Sequence, residues 1–419
     1  MDKDSQKTGP PAPDPSIMPT YSLATRAMHA DDSLNSTSDV APAMHLSTTF
    51  RYSHDPDKLI PIADDEILKE GSTIPQAHIY SRLSAPNTTR FETILSSLLH
   101  GHAITYSSGL SAFHALMVLL NPKCIAIGDG YHGVHGVLGI HKKLSGLKQA
   151  DLHNPESWDA IGLGEGDVVH VETPLNPTGE AYNIQHYADL AHARGAYLTV
   201  DATFGPPGIQ DPFAHGADFV MHAGTKYFGG HSDMLCGVLA TRPDKDGWKQ
   251  WVQLWQERLL LGSVMGSLEG WLGVRSIRTL ELRVQRQSRS TTALVQWLSV
   301  SLVSTNGDAS TVVTQAVVER LQHSSLQSGE WLIKQMPNGH GPVFALWMKS
   351  EKLARSLPSK LRLFHHATSL GGVESLIEWR RMSDDKVDPR VLRISIGVED
   401  FEDLKADLLQ AFEVLRAEQ

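Results

Sequence analysis

Two cysteines in 419 residues exclude a disulfide-framed fold. Both sit in apolar runs, Cys124 in K-C-I-A-I and Cys236 in M-L-C-G-V, and read as small core residues of a protein kept in a reducing compartment. No apolar run approaches the ~20 residues of a membrane span, so no membrane partner is expected. The first twenty residues, rich in Pro, Asp, Lys and Ser, hold no apolar signal segment and read as a disordered tail. Basic residues are outnumbered, 37 Lys plus Arg against 47 Asp plus Glu, and no basic block breaks the net charge of −10, which argues against a nucleic-acid surface. Internal repeats are also absent. What remains is an ordinary soluble composition, 41% hydrophobic and 20% charged, long enough for two domains and expected in the cytoplasm.

Residues 25–76 show poor helical periodicity around P-A-M-H-L-S-T-T-F and read as an extended arm, with 54–76 a loop holding at most one helical turn. Strands then alternate with helices from Ala103 to Ala240, the pattern of a mostly parallel sheet flanked by helices. Within it, A-I-T-Y runs into S-S-G-L-S-A, where Gly109 allows a close turn and a helix starts with free N–H groups, a ready anion site. The segment 184–194 reads as a helix stopped by Gly195. Residues 248–304 are helical in pattern, with a domain boundary expected inside a long helix near Thr279, and a smaller α+β domain follows. The expected organisation is therefore a tail (1–20), an arm (21–78), a larger domain (79–279) and a C-terminal domain (280–419).

Chemistry concentrates at residues 223–233, A-G-T-K-Y-F-G-G-H-S-D. Lys226 is surrounded by Gly224, Thr225, Gly229 and Gly230, which let backbone approach something bulky. A desolvated lysine has a lowered pKa and forms a Schiff base with an aldehyde, the chemistry of pyridoxal phosphate; a surface lysine in a glycine loop is the other reading. Upstream, the β-branched run 197–200 closes on Asp201, at the carboxyl end of a strand where ligands of open α/β sheets sit. A carboxylate there can hold a pyridine nitrogen protonated, or simply cap a turn. Tyr80 and Arg82, two apart in I-Y-S-R, lie on one side of an extended segment and can bind a phosphate or form a sheet-edge pair. Tyr131 follows a strand and can lie over a planar ring. Arg393, in V-L-R-I-S-I-G, suits either a substrate carboxylate or a structural salt bridge. His132, His135 and His141 lack a carboxylate or cysteine to complete a ligand set, so no metal is expected. G-L-G-E-G-D near Gly162 precedes a strand instead of following one, which argues against a dinucleotide loop.

These segments, together with T-R-A-M-H-A, E-T-P-L-N-P-T-G and S-L-G-G-V-E-S-L, resemble the Cys/Met-metabolism (transsulfuration) family of pyridoxal-phosphate enzymes, which includes cystathionine γ-synthases and lyases. The resemblance runs from about Thr25 to the C-terminal region. It implies a fold-type I PLP-dependent transferase with a mostly parallel central sheet and a smaller C-terminal α+β domain. It also implies a homodimer with shared active sites, assembled into a homotetramer, acting on a small amino-acid substrate. Lys226 would carry the cofactor and move protons, and Tyr131 would stack on the ring and assist. Ser108, Gly109, Leu110, Thr203 and Thr225 would hold the cofactor with Asn176 and Asp201, while Tyr80 and Arg82 would reach the neighbouring subunit's phosphate. Tyr131, Asn176, Ser369 and Arg393 would bind the substrate.

The sequence departs from the family in several places. Ala223 stands where a phosphate-binding serine is usual, and Gly266-Ser267 replaces the usual serine-proline. Thr368 replaces the glutamate before the serine of S-L-G-G, Gly136 an arginine, and Val134 a threonine. A charged amino-acid end needs opposite charges to offset its desolvation. The expected activity is therefore γ-substitution on an O-activated L-homoserine, O-acetyl foremost, by a thiol, amine or carbon nucleophile other than cysteine. Cystathionine β- or γ-lyase and cystathionine γ-synthase are the alternatives.

Overall fold

The computed structural model describes residues 17–35, 37–59 and 78–419; most of the expected tail and most of the 54–76 loop lie outside the described residues. Seven strands form the larger sheet: β1 (His102–Tyr106), β2 (Cys124–Ile127), β3 (Lys148–Asp151), β4 (Val168–Glu172), β5 (Tyr197–Asp201), β6 (Phe219–Ala223) and β7 (Gly237–Thr241). Their order is β1-β7-β6-β5-β4-β2-β3, and β7 alone runs against the other six. Strands β4 to β7 are buried almost throughout, because helices cover both faces and continuous Val, Leu and Ala runs suit a two-sided core. A five-stranded sheet follows, β8 (Val318–Gln322), β9 (Val343–Met348), β10 (His365–His366), β11 (Leu376–Trp379) and β12 (Val391–Ser395), in the order β10-β11-β12-β9-β8.

Three expectations need correction. The arm is not extended at its start: α1 (Leu23–His29), capped by Ser22, packs against α2 (Pro86–Leu99) and the helix Leu280–Val303 and buries Arg26 and Ala27. Seven residues span too few turns to display a periodicity. The long helix near Thr279 is two helices, Ser267–Ile277 and Leu280–Val303, and Thr279 caps the second. The helix expected over 184–194 ends at His192.

A buried ion pair fixes β1 against its neighbours. Glu92 Oε1 of α2 accepts Arg258 Nη1 at 2.5 Å, Thr105 N at 2.8 Å and Thr105 Oγ1 at 2.7 Å, all three residues being buried. Arg258 Nη1 also donates to Thr105 O at 2.8 Å. Removing one partner strands a buried charge, so Glu92→Ala is expected to cost about 3–5 kcal/mol. Urea unfolding of the apoprotein reads this, and an unchanged midpoint refutes it.

Candidate active site

The site lies where five strands end together. Strand β1 leads to Ser108 and Gly109, β2 to Tyr131, β4 to Glu172 and Asn176, β5 to Asp201 and Thr203, and β6 to Thr225 and Lys226. Ser108 caps α3 (Gly109–Leu120): its Oγ accepts Ser111 N at 3.1 Å, and Ser111 Oγ accepts Ser108 N at 2.9 Å. The N–H groups of Gly109 and Leu110 find no acceptor among the described residues, as a helix start dictates. A Cβ on Gly109 would lie 3.1 Å from the Ala223 methyl, so this helix start abuts the end of β6.

Lys226 hangs in a loop pinned to β7, where Cys236 N donates to Thr225 Oγ1 at 2.9 Å. Its Nζ donates to Ser369 Oγ at 2.8 Å. Burial, then the nearby Arg393, lowers its pKa to about 8, with Glu378 opposing. Ser369 is held at φ 73°, a left-handed conformation unusual outside glycine, and the next loop glycine, Gly371, packs on the Lys226 backbone: a Cβ there would sit 2.9 Å from the Lys226 carbonyl carbon. The Ser369 carbonyl accepts Arg393 Nη2 at 2.9 Å, and Asn176 Oδ1 accepts Arg393 Nη1 at 3.2 Å. Lys226, Ser369, Arg393 and Asn176 therefore form one connected group.

Asp201 forms the opposite wall. Its Oδ1 accepts Thr203 N at 2.9 Å and Thr203 Oγ1 at 2.5 Å, and Thr203 Oγ1 in turn accepts Ala223 N at 2.8 Å. Beside it, in register across β4 and β5, stands Glu172, whose oxygens accept Tyr131 N and Asn176 N, each at 2.7 Å. Gly130 makes that approach possible, since a Cβ would come within 2.5 Å of Glu172 Oε2. Burial pushes both carboxyls up, and Asp201 raises Glu172 further. Neither forms an ion pair with Lys or Arg among the described residues. Arg380 acts on Glu172 only at a distance, and a buried acid pair with no direct ion pair is a site for a cation brought by a ligand.

Residues 24–413 match the family profile described as Cys/Met metabolism PLP-dependent enzyme. The chain belongs to that family. Among relatives in this family, it is 30% identical to a cystathionine beta-lyase of Lactococcus lactis subsp. cremoris over 84% of this chain and 93% of that protein. It is 31% identical to the cystathionine gamma-synthase of Escherichia coli K12 over 89% of this chain and 93% of that protein. A methionine gamma lyase structure from Micromonospora echinospora superposes with a TM-score of 0.78 at 28% identity, covering 94% of this chain and 99% of that one. The fold is fold-type I, and family members depend on pyridoxal phosphate and act on small amino-acid substrates.

The residues present fit that cofactor. A lysine of lowered pKa suits its aldehyde, the buried Asp201–Glu172 pair, which no Lys or Arg contacts directly, suits its ring nitrogen, and the open N–H groups of α3 suit its phosphate. Tyr131, the N-cap of α4 (His132–Ser145), is 38% exposed and leaves its ring accessible. Tyr80 and Arg82 do not join the group: Tyr80, just past the arm and bridged to Thr49 on it, is 40% exposed, and Arg82 lies over its ring at 5.4 Å. His141 turns away to His114, 3.0 Å from Nε2. Among the described residues no group of three or more His, Cys, Asp or Glu could hold a metal, and no helix is long and apolar enough to cross a membrane. Sequence reasoning missed Glu172, Glu378 and Arg380. The signal for Glu172 was that of Asp201: an acid closing an apolar run, V-V-H-V-E.

Proposed function

We propose that the chain catalyses γ-substitution on an O-activated L-homoserine, O-acetyl-L-homoserine foremost, with a simple thiol, an amine or a carbon nucleophile as acceptor. The observation that carries this reading is the absence of charge at three positions, Val134, Gly136 and Thr368. A Cβ on Gly136 would meet nothing within 4 Å, Val134 is apolar and buried, and Thr368 stands exposed before Ser369. Room without paired charges favours an acceptor that is not a zwitterion.

Pyridoxal phosphate, when bound, supplies the electron sink that acidifies the hydrogens on the substrate's Cα and Cβ. Arg393 takes the substrate α-carboxylate, beside Ser369 and Asn176. Lys226 anchors the cofactor and then moves the Cα and Cβ protons, and an amine of pKa about 8 is suited to both giving and taking them. Asp201, fixed by Thr203, keeps the ring nitrogen protonated, and Tyr131 supports the ring and assists proton transfer. The Gly109 and Leu110 N–H groups, with Ser108 and Thr225, hold the phosphate. Tyr80 and Arg82 complete a neighbouring subunit's phosphate site in a homodimer within a homotetramer; their exposure, and the absence of a carboxylate partner for Arg82 among the described residues, supports this.

The names of relatives favour a second reading, cleavage of cystathionine. The test incubates holoenzyme with O-acetyl-, O-succinyl- and O-phospho-L-homoserine and, as acceptors, cysteine, methanethiol, amines and β-dicarbonyl compounds, reading products by mass. A non-cysteine acceptor is expected to outpace cysteine at least tenfold. Cysteine proving the best acceptor, or rapid cystathionine cleavage, overturns the proposal.

A further inference from the structure

Directly opposite Arg393 on β12, at the paired position of β11, stands Glu378. One oxygen, Glu378 Oε2, lies 2.7 Å from Arg393 Nη2 in an ion pair and accepts Arg380 Nη1 at 2.8 Å, while Oε1 accepts Ser383 Oγ at 2.8 Å. Arg380 comes from the short turn Arg380–Met382 that follows β11, and all three charged residues are 3–5% exposed. Two guanidinium groups thus share one carboxylate, and the cluster keeps one net positive charge. Burial opposes ionisation of Glu378, yet Arg393 and Arg380 hold it below the usual carboxylate range.

Arg380 is a poor choice for stability alone. Its Nε is buried with no hydrogen-bond partner, and an apolar side chain would fill such a turn without that desolvation. Its value is electrostatic. With Glu378 paired to Arg393 alone, the pair would be neutral, and an arriving carboxylate would meet the Glu378 charge at close range in a medium that screens it little.

We propose that Arg380 is a positioning residue for the amino-acid substrate: by taking a share of Glu378 it leaves Arg393, whose Nη groups also donate to Ser369 O and Asn176 Oδ1, with net positive charge to attract the α-carboxylate. This rests on the reading that Arg393 binds that carboxylate.

The test compares holoenzyme with Arg380→Gln, Glu378→Gln, the double variant and Arg393→Gln. Dissociation constants are read from the cofactor absorbance for L-norvaline, which has no γ leaving group, and for butylamine, which has no carboxylate. Arg380→Gln is expected to weaken L-norvaline at least tenfold and butylamine less than twofold. The double variant, with the competing charge gone, should return to within threefold of the parent. L-norvaline binding within twofold of the parent in Arg380→Gln overturns the inference, and so does a double variant as weak as the single. If Arg380→Gln fails to hold cofactor, Glu378→Gln decides: binding equal to the parent or tighter supports the inference, and a tenfold loss overturns it. Parental binding in Arg393→Gln instead defeats the reading of Arg393 itself, and this inference with it.

Discussion

Lys226→Ala is expected to lose the covalent hold on the cofactor and at least about 10²–10⁴-fold in turnover, the range that a positioned proton-transfer group contributes. Borohydride treatment should trap a pyridoxyl group on residue 226 of the parent and on no lysine of the variant. A trapped pyridoxyl-lysine in Lys226→Ala would sink the assignment. The pKa gives the same residue a pH signature. Burial and Arg393 lower the Nζ to about 8, so the neutral, nucleophilic amine forms well below the ordinary lysine range. Uptake of pyridoxal phosphate by the apoprotein should therefore rise with pH through about 8 and then level off. Because the folded pKa lies below the unfolded one, the unfolded chain binds the extra proton between about 8 and the ordinary range. Apoprotein stability should accordingly gain as pH rises through that window, and Lys226→Ala should lack that gain.

Lys226 and Asp201 were legible because each is announced locally, one by a glycine-framed loop and the other by the end of a β-branched run. The sheet was legible for the same reason, through strand and helix periods alternating along the chain. Glu378 and Arg380 were not, because their meaning is a register. Nothing in I-E-W-R states that Glu378 will stand across from Arg393, 15 residues further on in the next strand, and only the pairing of β11 with β12 makes the two guanidinium groups share it. That pairing also refines the choice posed for Arg393, which has both a salt bridge to Glu378 and hydrogen bonds to the Ser369 carbonyl and Asn176 Oδ1. Glu172 carried a readable signal, but its neighbour in space, Asp201, is 29 residues away in sequence and one strand over. The reading of Tyr80 and Arg82 was least determined, since their implied target belongs to another copy of the chain.

Asp201→Asn separates charge from shape. The amide can keep its Oδ1 as acceptor for Thr203 N and Thr203 Oγ1, so the hydrogen bonds that tie β5 to Ala223 survive. What changes is the second position, where a carboxylate oxygen that would hold a protonated ring nitrogen becomes a donor that cannot. Cofactor should still attach at Lys226, while turnover falls by about 10²–10³-fold, the loss typical of removing one preorganised electrostatic partner. Glu172 would report the change independently. Burial and then the Asp201 charge raise its pKa, so removing that charge should move it back toward the ordinary carboxylate range. Less proton would then be held by the folded apoprotein, and its stability should fall less steeply as pH rises above the ordinary carboxylate range. The decisive measurement reconstitutes the Asn variant with an N-methylated pyridoxal phosphate, whose ring nitrogen is cationic without help from the protein. Recovery of at least tenfold in turnover is expected, because the analogue supplies the charge that Asp201 maintains. Full activity of Asp201→Asn with the ordinary cofactor would mean that Asp201 serves the fold and another group serves the ring.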